Sequence, residues 1–190
     1  MPNFLQDIDT CLNILQNGGL ILYPTDTVWG IGCDATNEAA VKKIYALKQR
    51  VETNKMIVLM ATERDVMQYV SQLDLEVFNY LNTVEKPTTV IYNGAIGLAD
   101  NIISADGSIA IRICNDAFCK NLLKRFQKPV VSTSANISGQ PAPAYFKDID
   151  AQILSGVNYV VKYKQEETTA NAPSSIVKWL SNGTVQIIRS

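Results

Sequence analysis

Short apolar runs that stop at a proline or a hydroxyl-rich loop alternate along this chain with segments whose apolar residues recur every three or four positions. That alternation of strand-like and helix-like periods points to an α/β architecture. Phe4, Leu5, Ile8, Leu12 and Leu15 lie at helical spacing and end at the stop signal Asn17-Gly18-Gly19. Leu20-Ile21-Leu22-Tyr23 then reads as a strand that runs into Pro24, which has no N–H for a ladder, and opens the loop 25–30. A second helix is expected behind the cap Asn37, with Ala40, Val41, Ile44 and Leu47 on one face, ending near Lys48-Gln49-Arg50.

Further on, the pattern predicts a buried strand at 56–61, helices at 63–70 and 74–84, the latter capped by Asp74, and strands at 88–92 and 109–113. A helix at 116–126 leads to a strand at 129–133, which opens into the polar loop Ser134-Ala135-Asn136-Ile137-Ser138-Gly139. Three more strands are expected around 159–161, 175–177 and 185–188. No internal repeat, low-complexity linker or shift in composition marks a boundary, so residues 1–190 read as a single domain with a mixed sheet.

A chain of 190 residues buries roughly 70% of its unfolded surface, enough for a core without disulfide or metal staples. Histidine is absent, which excludes a Ser-His-Asp or Cys-His dyad, an imidazole base and a His-ligated zinc. Cys11, Cys33, Cys114 and Cys119 form no C-x-x-C pair and read as small buried hydrophobes of a reducing compartment. The N-terminus has no basic region, and no apolar run approaches a membrane span, so a cytoplasmic protein is expected.

With a formal charge of −1, any anion site must come from local clustering. Lys42, Lys43, Lys48, Arg50 and Lys55 stand against Glu52 alone, and Arg112, Lys120, Lys124, Arg125 and Lys128 against Asp116 alone. The helical lysines read as solvated faces. Arg112 differs, because it sits in the apolar strand Ile109-Ala110-Ile111-Arg112-Ile113 and there needs an anionic partner from the protein or from a ligand. Two hydroxyl-rich loops at strand ends, Pro24-Thr25-Asp26-Thr27 and 132–139, suit a ligand with carboxylate, phosphate and ribose groups, although turn chemistry alone also places such residues in loops. Asp26 reads either as an Asx-turn residue or as an aid to a Mg2+ ion. Neither a P-loop nor a dinucleotide G-x-G-x-x-G is present.

Tyr23-Pro24-Thr25-Asp26-Thr27-Val28-Trp29-Gly30-Ile31-Gly32, Lys48-Gln49-Arg50, Ile111-Arg112, the run 132–139 and Ile187-Ile188-Arg189 occur in an order and spacing that resemble the YrdC-type L-threonylcarbamoyladenylate synthases. The resemblance implies a single-domain twisted mixed sheet with flanking helices around a concave, electropositive cavity. It also implies a nucleotidyltransferase that makes L-threonylcarbamoyl-AMP and pyrophosphate from L-threonine, bicarbonate and ATP with Mg2+. Its product would pass to a transferase complex that modifies tRNA. On that resemblance Thr27, Arg112, Ser132 and Ser174 would bind threonine. Lys48 and Arg50 would be catalytic and meet the triphosphate, and Asn54, Ser134, Asn136, Ala142 and Arg189 would contact the nucleotide. The chain departs from the family pattern at Val51, at Lys55-Met56, at Leu59 where some members place a threonine-contacting histidine, and at Pro87-Thr88-Thr89, which lacks a preceding glycine. Two other readings remain at this level. One is an RNA-binding module for tRNA or double-stranded RNA built on the lysine clusters, and the other a paralogous hydrolase of AMP or carbamoyl-adenylates.

Overall fold

The computed structural model describes residues 4–53, 56–170 and 172–190. Helix α1 (Leu5–Gln16) leads into β1 (Ile21–Tyr23) and β2 (Gly30–Gly32), followed by α2 (Glu38–Leu47), β3 (Ile57–Met60), α3 (Glu63–Tyr69) and α4 (Glu76–Thr83). The second half runs β4 (Thr88–Tyr92), β5 (Ile109–Ile113), α5 (Ala117–Phe126), β6 (Val130–Ser134), α6 (Ala151–Gly156), β7 (Tyr159–Val160), β8 (Ser175–Trp179) and β9 (Val185–Arg189). The strands form one mixed sheet in the order β7-β1-β2-β6-β3-β5-β4-β8-β9. Pairs β1–β7, β3–β5 and β4–β8 are parallel, and the others antiparallel.

The helices start where the sequence provides acceptors. Asn37 accepts the Ala40 N–H at the head of α2, and Asp116 accepts the Cys119 N–H at the head of α5. Thr62 and Asp65 close a reciprocal capping box on α3. Asp74 accepts the Glu76 N–H at the start of α4, with Leu75 rather than Asp74 in the cap position. Helices α1 and α5 pack together against the sheet.

Two elements are not evident from periodicity. Strand β2 is Gly-Ile-Gly, a composition that disfavours strands, yet Gly32 is required there: a Cβ would lie 2.6 Å from the Tyr23 ring and 2.8 Å from the Val131 carbonyl. Helix α6 is short and carries one fully buried side chain, Ile153, too few apolar positions to set a period.

The register divides the sheet into two faces. Ile31, Val131, Val58, Ile111, Val90 and Val177 share one face and are almost wholly buried. The other face carries Gly30 and Ser134, Ile57, Ser132 and Ala110, Leu59 with Arg112, and Thr89 with Ile176. The four cysteines are free and buried, and burial pushes the Cys11 thiol up to about 12 and those of Cys33 and Cys119 upward as well, which disfavours the thiolate at these three positions. Among the described residues no helix is long and apolar enough to cross a membrane.

Candidate active site

The polar face of the sheet floors a cavity of about 250 Å3. Gly30, Ser132, Ser134, Ile57 and Arg112 reach it from the four adjacent strands β2, β6, β3 and β5, and Ile176 from β8 beyond β4, because register partners share a face. Thr27, Arg50, Ala142, Ser174 and Arg189 close its sides. Its lining contains three arginines and, among the described residues, no carboxylate. A wider depression of about 370 Å3 between α3 and α5, lined by Arg64, Asp65, Lys124 and Lys128, gathers none of the candidate residues.

Arg50 is delivered by the end of α2. Gln49 takes a left-handed conformation (φ 51°), its N–H bonds Ala46 O at 3.1 Å, and the Arg50 N–H bonds Tyr45 O at 2.9 Å, a Schellman closure without glycine. The turn reverses the chain and sends the Arg50 side chain to the cavity wall. Lys48, one step earlier, goes elsewhere. It is 0% exposed, and its ammonium donates to the backbone carbonyls of Ser134 and of Asn136, the latter at 2.6 Å. The Lys48 carbonyl in turn accepts the Ser138 N–H at 2.8 Å, so this residue holds the loop 134–138 at both ends. Burial, and secondarily the charge of Arg50, lowers the Lys48 pKa from the ordinary 10.5 to about 8.

The loop after β1 is organised by Thr25. Its hydroxyl donates to Val28 O (2.8 Å), accepts the Thr27 N–H (3.0 Å) and lies 3.0 Å from the Thr27 hydroxyl. With the single Thr25 proton engaged by Val28, the Thr27 hydroxyl donates to Thr25 and keeps lone pairs for a ligand donor. Asp26 turns to β5 rather than closing an Asx-turn on its own loop. Its Oδ1 lies 3.0 Å from Arg112 Nη2, and its Oδ2 accepts the Asn115 N–H at 3.4 Å. This is the anionic partner that Arg112 requires in its apolar strand, and nothing in composition or spacing connects positions 26 and 112.

On the opposite side, the Ser174 hydroxyl bonds that of Thr89 at 2.9 Å, and Arg189 Nε and Nη2 donate to Ser174 O at 3.2 and 2.8 Å. Arg189 faces the cavity because the β8–β9 register slips. Ile187 opposes Val177, Ile188 is the extra residue, and Arg189 opposes Ile176.

The structure thus brings Thr27, Arg50, Arg112, Ser132, Ser134, Ala142, Ser174 and Arg189 to one cavity. Lys48 and Asn136 stand behind it. The contact expected between Lys48 and a phosphate is replaced in this arrangement by the loop carbonyls. The Asn136 amide donates to Ile137 O (2.9 Å) and Gln140 O (2.7 Å), while its buried Oδ1 meets no donor among the described residues. Asn54 lies outside the described residues. Leu59 is buried beside Arg112 in register. The helical cations turn elsewhere, Lys42 to Glu38, Lys43 to Gly18 O, Arg125 to Asp9 and Lys128 to Asp34. The sequence does not reveal the pairing of Asp26 with Arg112 or the apolar wall of Met56, Ile57 and Ile176, although alternation on β3 puts Ile57 on the face of Ser132.

Residues 13–190 match the family model that spans Sua5, YciO and YrdC and is described as telomere recombination. The chain belongs to the Sua5/YciO/YrdC family. A threonylcarbamoyl-AMP synthase of Vibrio campbellii is 31% identical over 175 residues, covering 90% of this chain and 94% of that protein. Among solved structures, P. abyssi Sua5 complexed with L-threonine superposes with a TM-score of 0.85 at 21% identity, over 97% of this chain and 54% of that one. E. coli YciO superposes with a TM-score of 0.83 at 19% identity, over 97% and 89%. At these identities the two superpositions establish the shared fold.

Proposed function

We propose that this family member is an L-threonylcarbamoyl-AMP synthase, and that the cavity floored by the polar sheet face is where L-threonine, bicarbonate and ATP react. The observation that carries the reading is the convergence of Arg50, Arg112 and Arg189 with the hydroxyls of Thr27, Ser132, Ser134 and Ser174 on a lining without carboxylates among the described residues. Such a lining suits a carboxylate and a polyphosphate held together. The name carried by the curated relatives supports the same substrates.

The chemistry needs no histidine and no protein nucleophile. The threonine amine and bicarbonate form an N–C bond with loss of water, giving a carbamate. A carbamate oxygen then bonds the α-phosphorus of ATP while the bond from that phosphorus to the bridging oxygen breaks, and pyrophosphate leaves. Arg112 orients the threonine carboxylate, and the free lone pairs of Thr27 accept from a substrate N–H or O–H. Ser132 and Ser174 border threonine, and Ser134 and Ala142 border the nucleotide. Arg50 and Arg189 stabilise charge on the phosphoryl oxygens and the leaving group, and Lys48 adds a through-space positive field. Holding carbamate and α-phosphate in contact removes an entropic barrier of order 7–11 kcal/mol in well-oriented systems.

Among the described residues no group of three or more His, Cys, Asp or Glu could hold a metal ion, and the cavity lining offers no carboxylate. These residues do not form a Mg2+ site of their own. The Mg2+ ion proposed to accompany the reaction would arrive with the ATP phosphates. The product would serve tRNA modification through a transferase complex in the cytoplasm.

The test is incubation of the protein with ATP, Mg2+, bicarbonate and L-threonine, with mass spectrometry for threonylcarbamoyl-AMP and an assay for pyrophosphate. Product that disappears when threonine or bicarbonate is left out supports the synthase. ATP binding without product would favour the hydrolase-like paralogue, and RNA binding without ATP binding would favour the RNA module.

A further inference from the structure

Arg112 is 4% exposed, lines the cavity, and is the one buried cation there whose only close anionic neighbour is a carboxylate among the described residues. That neighbour, Asp26, sits directly before Thr27. The Asp26 Oδ1–Arg112 Nη2 approach of 3.0 Å is close in charge but off the N–H direction, since neither atom completes a hydrogen bond, and Arg112 Nε also meets no acceptor. Nε and Nη2 form one edge of the guanidinium fork, the edge that grips both oxygens of a carboxylate. The ion pair therefore neutralises Arg112 enough to keep it buried while leaving that edge unfilled.

The same contact links two recognition points. Arg112 is fixed on β5, whereas Thr27 belongs to a loop whose internal bonds all run through Thr25. Asp26 joins the loop to the end of β5 through Arg112 and through the Asn115 N–H. An amino acid bound with its carboxylate on the Arg112 donors and an N–H or O–H on the Thr27 acceptor would have to span the two points that this carboxylate links.

We propose that Asp26 is a positioning residue for the amino-acid substrate: its ion pair with Arg112 fixes the guanidinium edge and the Thr27 hydroxyl at the spacing an α-amino acid requires. The inference rests on reading the cavity as the threonine site.

The experiment measures L-threonine binding by titration calorimetry without ATP, and KM for threonine and for ATP, in the wild type, Asp26→Asn, Arg112→Lys and the double variant. Asp26→Asn keeps the shape and removes the charge. It should weaken threonine binding tenfold or more and leave the ATP KM within twofold, a split that general loosening of the fold would not produce. Because both residues act through one contact, the double variant should bind threonine no more weakly than the poorer single variant within twofold. Asp26→Glu, which retains the ion pair but lengthens the spacer by one methylene, provides the second reading if Asp26→Asn does not fold, and should also weaken threonine selectively. Wild-type threonine affinity in either Asp26 variant, equal losses for threonine and ATP, or multiplicative losses in the double variant would overturn the proposal. A wild type that binds no L-threonine would instead overturn the functional reading itself, and this inference with it.

Discussion

Replacing Lys48 with methionine should leave a signature in the pH dependence of stability that no other residue can supply. The Lys48 ammonium is fully buried against two backbone carbonyls, and burial lowers its pKa to about 8 from the ordinary 10.5. In this case the folded pKa lies below the unfolded one. Under pH 8 both states carry the proton and the folded state bears the full cost of the buried charge. Between pH 8 and 10.5 the folded protein releases the proton while the unfolded chain retains it, so the unfolded state binds more protons and stability rises with pH. Carried from pH 7 to pH 10, that difference is worth about 2–3 kcal/mol of relief. Methionine has a similar stem and no charge. At pH 7 it escapes the burial cost but leaves the Ser134 and Asn136 carbonyls without this donor, a loss of about 1–3 kcal/mol for each, so the two effects oppose one another. Urea unfolding of both proteins at pH 7 and pH 10 tests this, because tyrosines and cysteines titrate alike in the two chains and cancel in the difference. The wild type should gain about 2–3 kcal/mol on the variant over that interval. A difference constant to within about 0.5 kcal/mol would refute the buried, partly deprotonating lysine.

Four further outcomes follow from contacts already described. Asp7→Ala removes the acceptor of Tyr159 Oη (2.6 Å) and of the Lys162 and Tyr163 N–H groups (3.2 and 2.9 Å), and should cost about 3–5 kcal/mol in urea unfolding. Gly32→Ala drives a methyl into the Tyr23 ring and the Val131 carbonyl and should lower stability by more than about 2 kcal/mol, read as a fall in Tm. Arg50→Ala should lower pyrophosphate release about 100-fold or more at saturating threonine while the fold is retained by circular dichroism; wild-type turnover would remove Arg50 from the reaction. Arg112→Met, which leaves the nearly buried Asp26 carboxylate without its counter-charge, should lower the unfolding free energy without ligand by about 3–5 kcal/mol and abolish threonine binding in calorimetry.

Much of the fold could be read from period and punctuation. The strands at 88–92, 109–113 and 130–134 and the helix behind Asn37 are continuous apolar or strictly periodic runs closed by caps, and the caps are where the sequence places them. Strand β2 escaped because its glycines answer to the Tyr23 ring packed against them, a tertiary demand that leaves no periodic trace. At the site, the sequence identified residue types that fit carboxylate and phosphate, and eight of the expected positions meet in one cavity. Direction was the illegible part. Lys48 and Arg50 are two residues apart in a cationic cluster, yet the left-handed turn at Gln49 sends one into a loop and the other to the cavity. The link between Asp26 and Arg112 spans the sheet and required the fold.

The treatment of buried charge separates structural carboxylates from the site. Asp7 takes three donors, and Asp34 takes the Thr36 N–H, the Thr36 hydroxyl and Lys128; both are saturated by the chain. Arg112 and Asp26 face one another with donors and an acceptor still unfilled among the described residues, and the Asn136 Oδ1 is likewise without a donor there. Each such atom costs the free protein about 1–3 kcal/mol, a cost the same chain avoids at Asp7 and Asp34. A ligand carboxylate on the Arg112 edge would accept from Nε and Nη2, so the free energy withheld from those two donors in the ligand-free fold becomes binding energy directed at one chemical group. The Asp7 contacts are thus completed on folding, whereas the Nε and Nη2 edge of Arg112 is completed only by substrate.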